Sequence, residues 1–453
     1  MLIFRNAELR KRILKIAIPA MTEMVLYMLV GVVDIAIVGR LGATSLAAVG
    51  LGAEIFFAII LFLAGLGIGS SILVAQAKGA GRMDYASQVA GQTFILGLLI
   101  GLLTGALGLT YSDYIISLFG VEESVYTQAV EYLLIVFKVA PLALTLYMIE
   151  GIFRGLGRTD IPMKIAIVQN IINGVGDYLL VFGVLGFPAL GVAGAAWATL
   201  IAHVVGFILG LWFLIKGQQE LKVKFKSLFA LRFPVVKDIT RLGFPSLTEE
   251  FFITGASLVS MFFITVLGTI SFAAHEVAVT VESLSFMPGF GIGMTATALV
   301  GQAIGAKNRT AVYETARGCT ELGLLLMGLI GVLFAVFPCQ IAAIFTNDPE
   351  LIETAGTLVR LAALEQITIA FSIVAGGILK GTGDTRTPML VTTFFTWVFP
   401  LPLMYLFVYV FRFNLTYIWL MFITDWFLRS IVYLVIILRA NLLRKPEGGQ
   451  ESA

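Results

Sequence analysis

Apolar residues gather along the chain into twelve stretches, each long enough to cross about 30 Å of hydrocarbon as a helix of roughly 20 residues. They cover 16–38, 46–73, 89–110, 130–152, 162–184, 190–215, 242–266, 270–300, 316–338, 356–378, 388–411 and 415–438. No stretch shows the ten-residue alternation of a barrel strand, so the pattern predicts helices. The expected fold is an all-α polytopic membrane protein, with twelve spans in two parallel six-helix repeats. The longest polar connection divides it. We expect a first lobe over 1–215, a cytoplasmic linker over 216–241, a second lobe over 242–440 and a disordered cytoplasmic tail over 441–453.

Composition narrows the class. Of 453 residues, 59% are hydrophobic and 13% charged, with 35 Phe. Soluble domains carry about a quarter charged residues, and a disordered chain lacks such apolar runs, so both are excluded. Two Cys and two His cannot build a disulfide framework, a four-thiolate site or a three-histidine zinc centre. The basic segment Met1–Lys15 runs straight into a full-length span, so we expect no cleaved leader. Charge placement sets orientation. Arg5, Arg10, Lys11, Arg12 and Lys15 precede the first span, and Lys222, Lys224, Lys226, Arg444 and Lys445 lie in the linker and tail. In all, 25 of the 30 Lys and Arg fall on one side of the alternating connections. Positive residues stay cytoplasmic. The expectation is a multi-pass protein of the cell membrane with both termini inside.

The halves align at a single offset of 226 residues without gaps. Pro19 meets Pro245, Glu23 meets Glu249, and Gly65, Gly67 and Gln76 meet Gly291, Gly293 and Gln302. The turn GLGRTDIPM from Gly155 meets GTGDTRTPM from Gly381. Each half has an even number of spans, so the repeats run parallel about an axis along the membrane normal, a plan used by transporters.

Shared residues read as structural, and departures from the symmetry point to function. Asp34 faces Ser260, Asp177 faces Leu403, Asn173 faces Phe399 and Asn170 faces Thr396. Asn170, Asn173, Gly174 and Asp177 fall on one face of the fifth span, and Glu23, Tyr27, Val30, Gly31 and Asp34 on one stripe of the first. An isolated carboxylate at that depth costs several kcal/mol, so each acid should face a cavity, carry a proton or bind a cation. Two acids together suit a shared, exchangeable proton, and with the Asn amides they could equally form an oxygen cage for sodium at Asp34, Asn173 and Asp177. The expected coupling set includes Asn170, and the expected substrate cavity is lined by Tyr27, Gly31, Asp34, Asn173 and Asp177. Glu150–Arg154 and Asp425–Arg429, each four apart, read as local ion pairs. Glu249, His275 and Glu282 are secondary candidates, Glu249 for a structural or gating role and the other two as groups that could titrate. Lys138 and Arg360 should meet neighbouring acids or snorkel outward.

Taken together, VVDIAIVGRLGATSLAAVGLG, AQAKGAGR, GQAIGAKNR and the paired GxGxTxxPM turns make nearly the whole chain resemble a MATE (multidrug and toxic compound extrusion) transporter, more the DinF branch than NorM. The resemblance implies a V-shaped two-lobe fold and drug export driven by inward proton or sodium movement. It places an acid of the first helix on Asp34, an Asn-x-x-x-Asp of the fifth on Asn173 and Asp177, a helix-bending proline on Pro19 and a supporting hydroxyl on Thr199. The positions of NorM-type carboxylates fall near Ile253 and Ile369, which are apolar. The expected partners are small organic, cationic amphiphilic compounds and the lipid bilayer, with no nucleic acid, no cofactor beyond the coupling ion, no enzymatic activity and a monomeric state. The alternatives are a lipid-linked oligosaccharide flippase of the same superfamily, whose anionic cargo would want intramembrane Lys or Arg, a major-facilitator transporter, and an intramembrane enzyme, which would need a nucleophile–base pair or metal ligands.

Overall fold

The computed structural model describes residues 6–217, 221 and 231–443. Arg5, Lys222, Lys224, Lys226, Arg444 and Lys445, and the expected disordered tail from 444 onward, lie outside the described residues. Among the described residues, twelve helices are long and apolar enough to cross a membrane. They are α1 (Ala7–Leu41), α2 (Ala43–Gly79), α3 (Met83–Ser117), α4 (Glu123–Gly155), α5 (Asp160–Phe182), α6 (Val192–Lys216), α7 (Phe233–Thr265), α8 (Thr269–Gly305), α9 (Arg309–Val336), α10 (Pro349–Thr382), α11 (Arg386–Val410) and α12 (Leu415–Arg439). Their outer faces carry Leu99, Leu102, Leu103 and Leu107 on α3 and Leu329, Val332 and Leu333 on α9, all exposed. Such faces are at home against lipid tails. The chain is a multi-pass membrane protein.

Most helices run past the apolar spans that predict them. The helix of α1 begins at Ala7, nine residues before the expected 16, because its basic start is amphipathic. Leu9, Ile13, Ile16 and Ala17 are buried, while Arg10, Lys11, Arg12 and Lys15 take the other positions. Asn6 caps it, accepting from the Leu9 N–H at 3.0 Å. Similarly, α7 begins at Phe233 inside the expected linker, with Val235 and Ile239 packed in a core with Val74, Ala86 and Val89. At the other end, Leu442 and Leu443 pack on a core with Ile437, so the first residues of the expected tail are held. Asp348 caps α10 with Pro349 in its first turn, and Asn308 caps α9. Helix α11 is irregular. It widens to π turns over Phe394–Val398 and Leu406–Val410, around Pro400 and Pro402, whose missing N–H groups break the ordinary ladder.

Two compact units result: Thr22–Leu247, and the remaining described residues. This partition differs from the sequence division at 215 and 242, since its boundaries fall inside α1 and α7 rather than in the linker. In the first unit Phe56, Tyr132 and Phe137 form the heart of the core, with Phe56 edge-on to Phe137 at 5.7 Å. In the second, Trp419, Met404 and Leu358 do so.

The repeat is visible in backbone contacts within each unit. A Cβ on Gly151 of α4 would meet the Gly67 carbonyl of α2 at 2.8 Å, and one on Gly377 of α10 would collide with the Gly293 carbonyl of α8. Four residues on, Gly155 abuts the Ser71 carbonyl and Gly381 the Thr297 carbonyl. These are corresponding pairs at the 226 offset, and only glycine lets the helices approach so closely. The paired turns match too: Gly157 and Gly383 adopt φ of +71° and +95°, a region that favours glycine.

Candidate functional site: buried carboxyl pairs in each half

In the unit Thr22–Leu247, Asp34 of α1 and Asp177 of α5 meet. Their carboxyls face each other, with Asn173 beside Asp34. Asn173 also donates to Thr199 Oγ1 of α6 at 3.3 Å. All four side chains are essentially out of contact with bulk solvent: Asp34 is 3% exposed, Asn173 2%, Thr199 1% and Asp177 0%. The local sequence arranges this simply. Asn173 and Asp177 are one turn apart on the buried face of α5, while Ile171, Val175 and Tyr178 take the outer face. Gly174, beside Val33 of α1, leaves room for the two helices to approach. Fully buried Tyr132 of α4 lies beside Asp34, Asp177 and Thr199. A hydrogen bond between two carboxyls requires one to be protonated, because both ionised forms only accept. Among these atoms, Asp34 Oδ1, Asn173 Oδ1 and both Asp177 oxygens have no hydrogen-bond partner in this arrangement, so a proton or a cation must join them.

The remaining candidates are not all in this cluster. Asn170 turns back on its own helix, donating to the Ala166 carbonyl at 2.9 Å, because a short amide mid-helix readily reaches the preceding turn. Gly31, one turn before Asp34 on α1, is exposed. Tyr27 belongs to a separate group lower on α1, donating to Glu150 Oε2 of α4 at 2.6 Å and stacking on Tyr147 at 5.4 Å. In that group Arg154 pairs chiefly with Glu23 across the α1–α4 interface, and its expected local partner Glu150 is 3.9 Å away. Pro19 lies inside α1.

In the other unit, Glu249 of α7 pairs with Lys380 of α10 at 2.8 Å and accepts from Thr392 at 3.1 Å. Lys380 is the copy of Arg154, so a Glu–cation bridge is itself duplicated. His275 packs edge-on to Trp419 at 5.8 Å. Glu282 of α8 instead faces Glu365 of α10. Beside them, Ser285 donates to Gln366 Oε1 at 2.5 Å, and Asp425 holds Arg429 at 2.8 Å, the local pair expected from spacing. Arg429 also donates to the Phe395 carbonyl at 2.8 Å. Lys138 sits over the Trp197 ring at 5.3 Å rather than against an acid.

Sequence reasoning missed Glu365 and Tyr132, although the signal for both was present. At the offset, Glu365 faces Val139, Glu282 faces Phe56, Asp425 faces Thr199 and Tyr132 faces Leu358. Broken symmetry marks polar residues in the second half as well as in the first.

Known proteins show the same plan. A probable multidrug resistance protein NorM from Thermotoga maritima is 33% identical over 432 residues, covering 95% of this chain and 92% of the relative. The fold superposes on an outward-facing multidrug resistance MATE family transporter of the MOP superfamily with a TM-score of 0.89 at 25% identity, covering 97% of both chains. A MOP superfamily transporter from Pyrococcus furiosus shares the fold at a TM-score of 0.89 and 24% identity, again over 97% of each chain. The MatE sequence profile matches residues 19–179 and 245–406, one match in each repeat. Twelve spans, a tandem architecture and these matches agree: the chain belongs to the MatE family.

Proposed function

We propose that the protein is a secondary active exporter that moves organic, cationic amphiphilic compounds out of the cell in exchange for inward protons, with both termini cytoplasmic. The single observation that carries this reading is the Asp34–Asp177 carboxyl pair, buried, adjacent and absent from the other repeat. The names of the relatives, multidrug resistance proteins, support the substrate class. The basic connections support the orientation.

The chemistry follows from charge. Doubly ionised, the pair attracts a cationic drug. With one proton added it loses a unit of negative charge and with it much of that attraction. Proton and drug then stabilise different states, and coupling needs nothing more. Asn173 and Thr199 hold the pair in place and Tyr132 closes it from the side. Alternating access of helices α1–α6 against α7–α12 would expose the pair to each side in turn, with α1 rearranging near Pro19.

Sodium is a second reading, favoured by the four unpartnered oxygens of Asp34, Asn173 and Asp177, a hard-oxygen set suited to a small cation. Drug efflux from proteoliposomes with pH and sodium gradients imposed separately tests both. The expected result is export driven by the pH gradient alone, with drug affinity weakening as pH falls. Export that follows only the sodium gradient would replace the proton, and full gradient-driven export by Asp34→Asn and Asp177→Asn would remove the site.

A further inference from the structure

Eleven residues before Asp34 on α1, about 16 Å along the axis, lies a second ionisable cluster for which the exchange reading above has no use. Its charged and titratable members are Glu23 and Tyr27 from α1 and Tyr147, Glu150 and Arg154 from α4. Glu23 and Glu150 are both 0% exposed. Among the described residues, Arg154 is the only cation facing them, and it is engaged with Glu23. Two carboxylates against one guanidinium leave an uncompensated negative charge in a buried site, which a membrane interior strongly disfavours. The atoms show where that charge is met. Tyr27 donates its hydroxyl proton to Glu150 Oε2 at 2.6 Å. Glu150 Oε1 and Glu23 Oε2 are buried without any partner, two acceptors left for one more hydrogen.

The second repeat supplies a control within the molecule. Its bridge, Glu249–Lys380, copies Glu23–Arg154, but Gly376 stands where Glu150 would be and Ile253 where Tyr27 would be. The extra acid and its hydroxyl donor are therefore additions to a bridge that exists without them, as Asp34 and Asp177 are additions to the duplicated scaffold. They occur in the same half, and each addition places one residue, Tyr27 or Asp34, on the same stripe of α1.

We propose that Glu23 and Glu150 hold a second exchangeable proton in this half, nearer the N-terminal end of α1 and separate from the one shared by Asp34 and Asp177. The inference rests on the proton-exchange reading and extends it. A proton leaving the Asp34 pair toward the N-terminal end of α1 meets this cluster as its next acceptor. Glu150 carries the hydrogen while Arg154 keeps Glu23 ionised, and Tyr27 positions the Glu150 carboxyl.

Infrared difference spectroscopy of the full-length protein in lipid, stepped from alkaline to acid pH, reads protonated carboxyls through their C=O stretch. Wild type should show two resolved titrating contributions. Glu150→Gln should remove one and leave the other, while Asp34→Asn should remove the other and leave the first. Tyr27→Phe should shift the frequency of the Glu150 signal without abolishing it, which keeps the assignment testable if Glu150→Gln fails to fold. In proteoliposomes, Glu150→Gln should lower pH-driven uphill export by at least about ten-fold while drug–drug exchange across the membrane persists. A difference spectrum unchanged by Glu150→Gln, or a Glu150 signal that ignores pH and responds only to sodium, overturns the second proton site. Loss of the Asp34-dependent signal alone would instead strike the exchange reading, so the two failures are distinguishable.

Discussion

The two halves each contain a pair of carboxyls joined across two helices, and neither pair is a copy of the other. Asp34 and Asp177 join α1 to α5, whereas Glu282 and Glu365 join α8 to α10. Their neighbourhoods differ in one respect that matters. The first pair is faced by an amide and hydroxyls, Asn173, Thr199 and Tyr132. The second lies beside Asp425, whose charge is met by Arg429, and beside the Ser285–Gln366 bond. It also bridges helices whose backbones already touch at Gly293 and Gly377. Among the described residues, a charge change at the first pair finds no fixed counter-charge, while the second is braced by bonds that do not depend on it. Duplication supplied the scaffold, and the titratable chemistry was then written separately on each copy.

Removing a buried cation should give the largest effects and would sharpen this contrast. Arg154→Met leaves Glu23 and Glu150 without their partner and should cost about 3–5 kcal/mol of stability, read as a lowered unfolding midpoint in detergent. Arg429→Met should cost about as much through Asp425. A negligible shift in both would mean that water reaches these sites. Next comes function. Asp34→Asn should reduce gradient-driven export by at least about ten-fold, and Glu282→Gln by less than about three-fold, measured as initial efflux rates in proteoliposomes. Equal losses would break the comparison and make the second pair an equal partner in coupling. Overpacking the duplicated backbone contact follows, with Gly151→Ala and Gly377→Ala each costing about 1–3 kcal/mol in thermal unfolding. A cost in one half only would show that the two seams are not equivalent. The smallest effect should be Thr199→Val, which removes the acceptor of the Asn173 amide and should cost about 1 kcal/mol. It would appear as a several-fold change in drug affinity at fixed pH, and no change would mean that the Asn173–Thr199 bond does not position the pair.

Much of this was legible in the order of residues. The number of spans follows from apolar length, and the repeat from one unbroken offset. Asp34, Asn173 and Asp177 stand out because the copy replaces them with Ser260, Phe399 and Leu403. The losses have physical causes. The charged residues of 7–15 and 233–241 make hydropathy read both as connections, yet Leu9, Ile13, Val235 and Ile239 give each a buried face. Spacing along one helix suggests Glu150 for Arg154, but side-chain reach across α1 and α4 decides for Glu23. Asn170 has the right periodicity and bonds to its own backbone instead, a choice made at the scale of one rotamer. Glu365 was hidden because an acid in one half draws the eye to its absence in the other only when both directions are compared.

The division of α1 at Met21 has a consequence for biosynthesis. Ile13 packs beside Gly318 of α9, roughly three hundred residues downstream, whereas the start of α7 finds Val74 and Ala86 already made. While the ribosome is extending the first six spans, the amphipathic opening of the chain has no protein surface to cover Leu9, Ile13 and Ile16. During that interval it would rest on the bilayer surface, basic side outward, until α8 and α9 arrive to receive it.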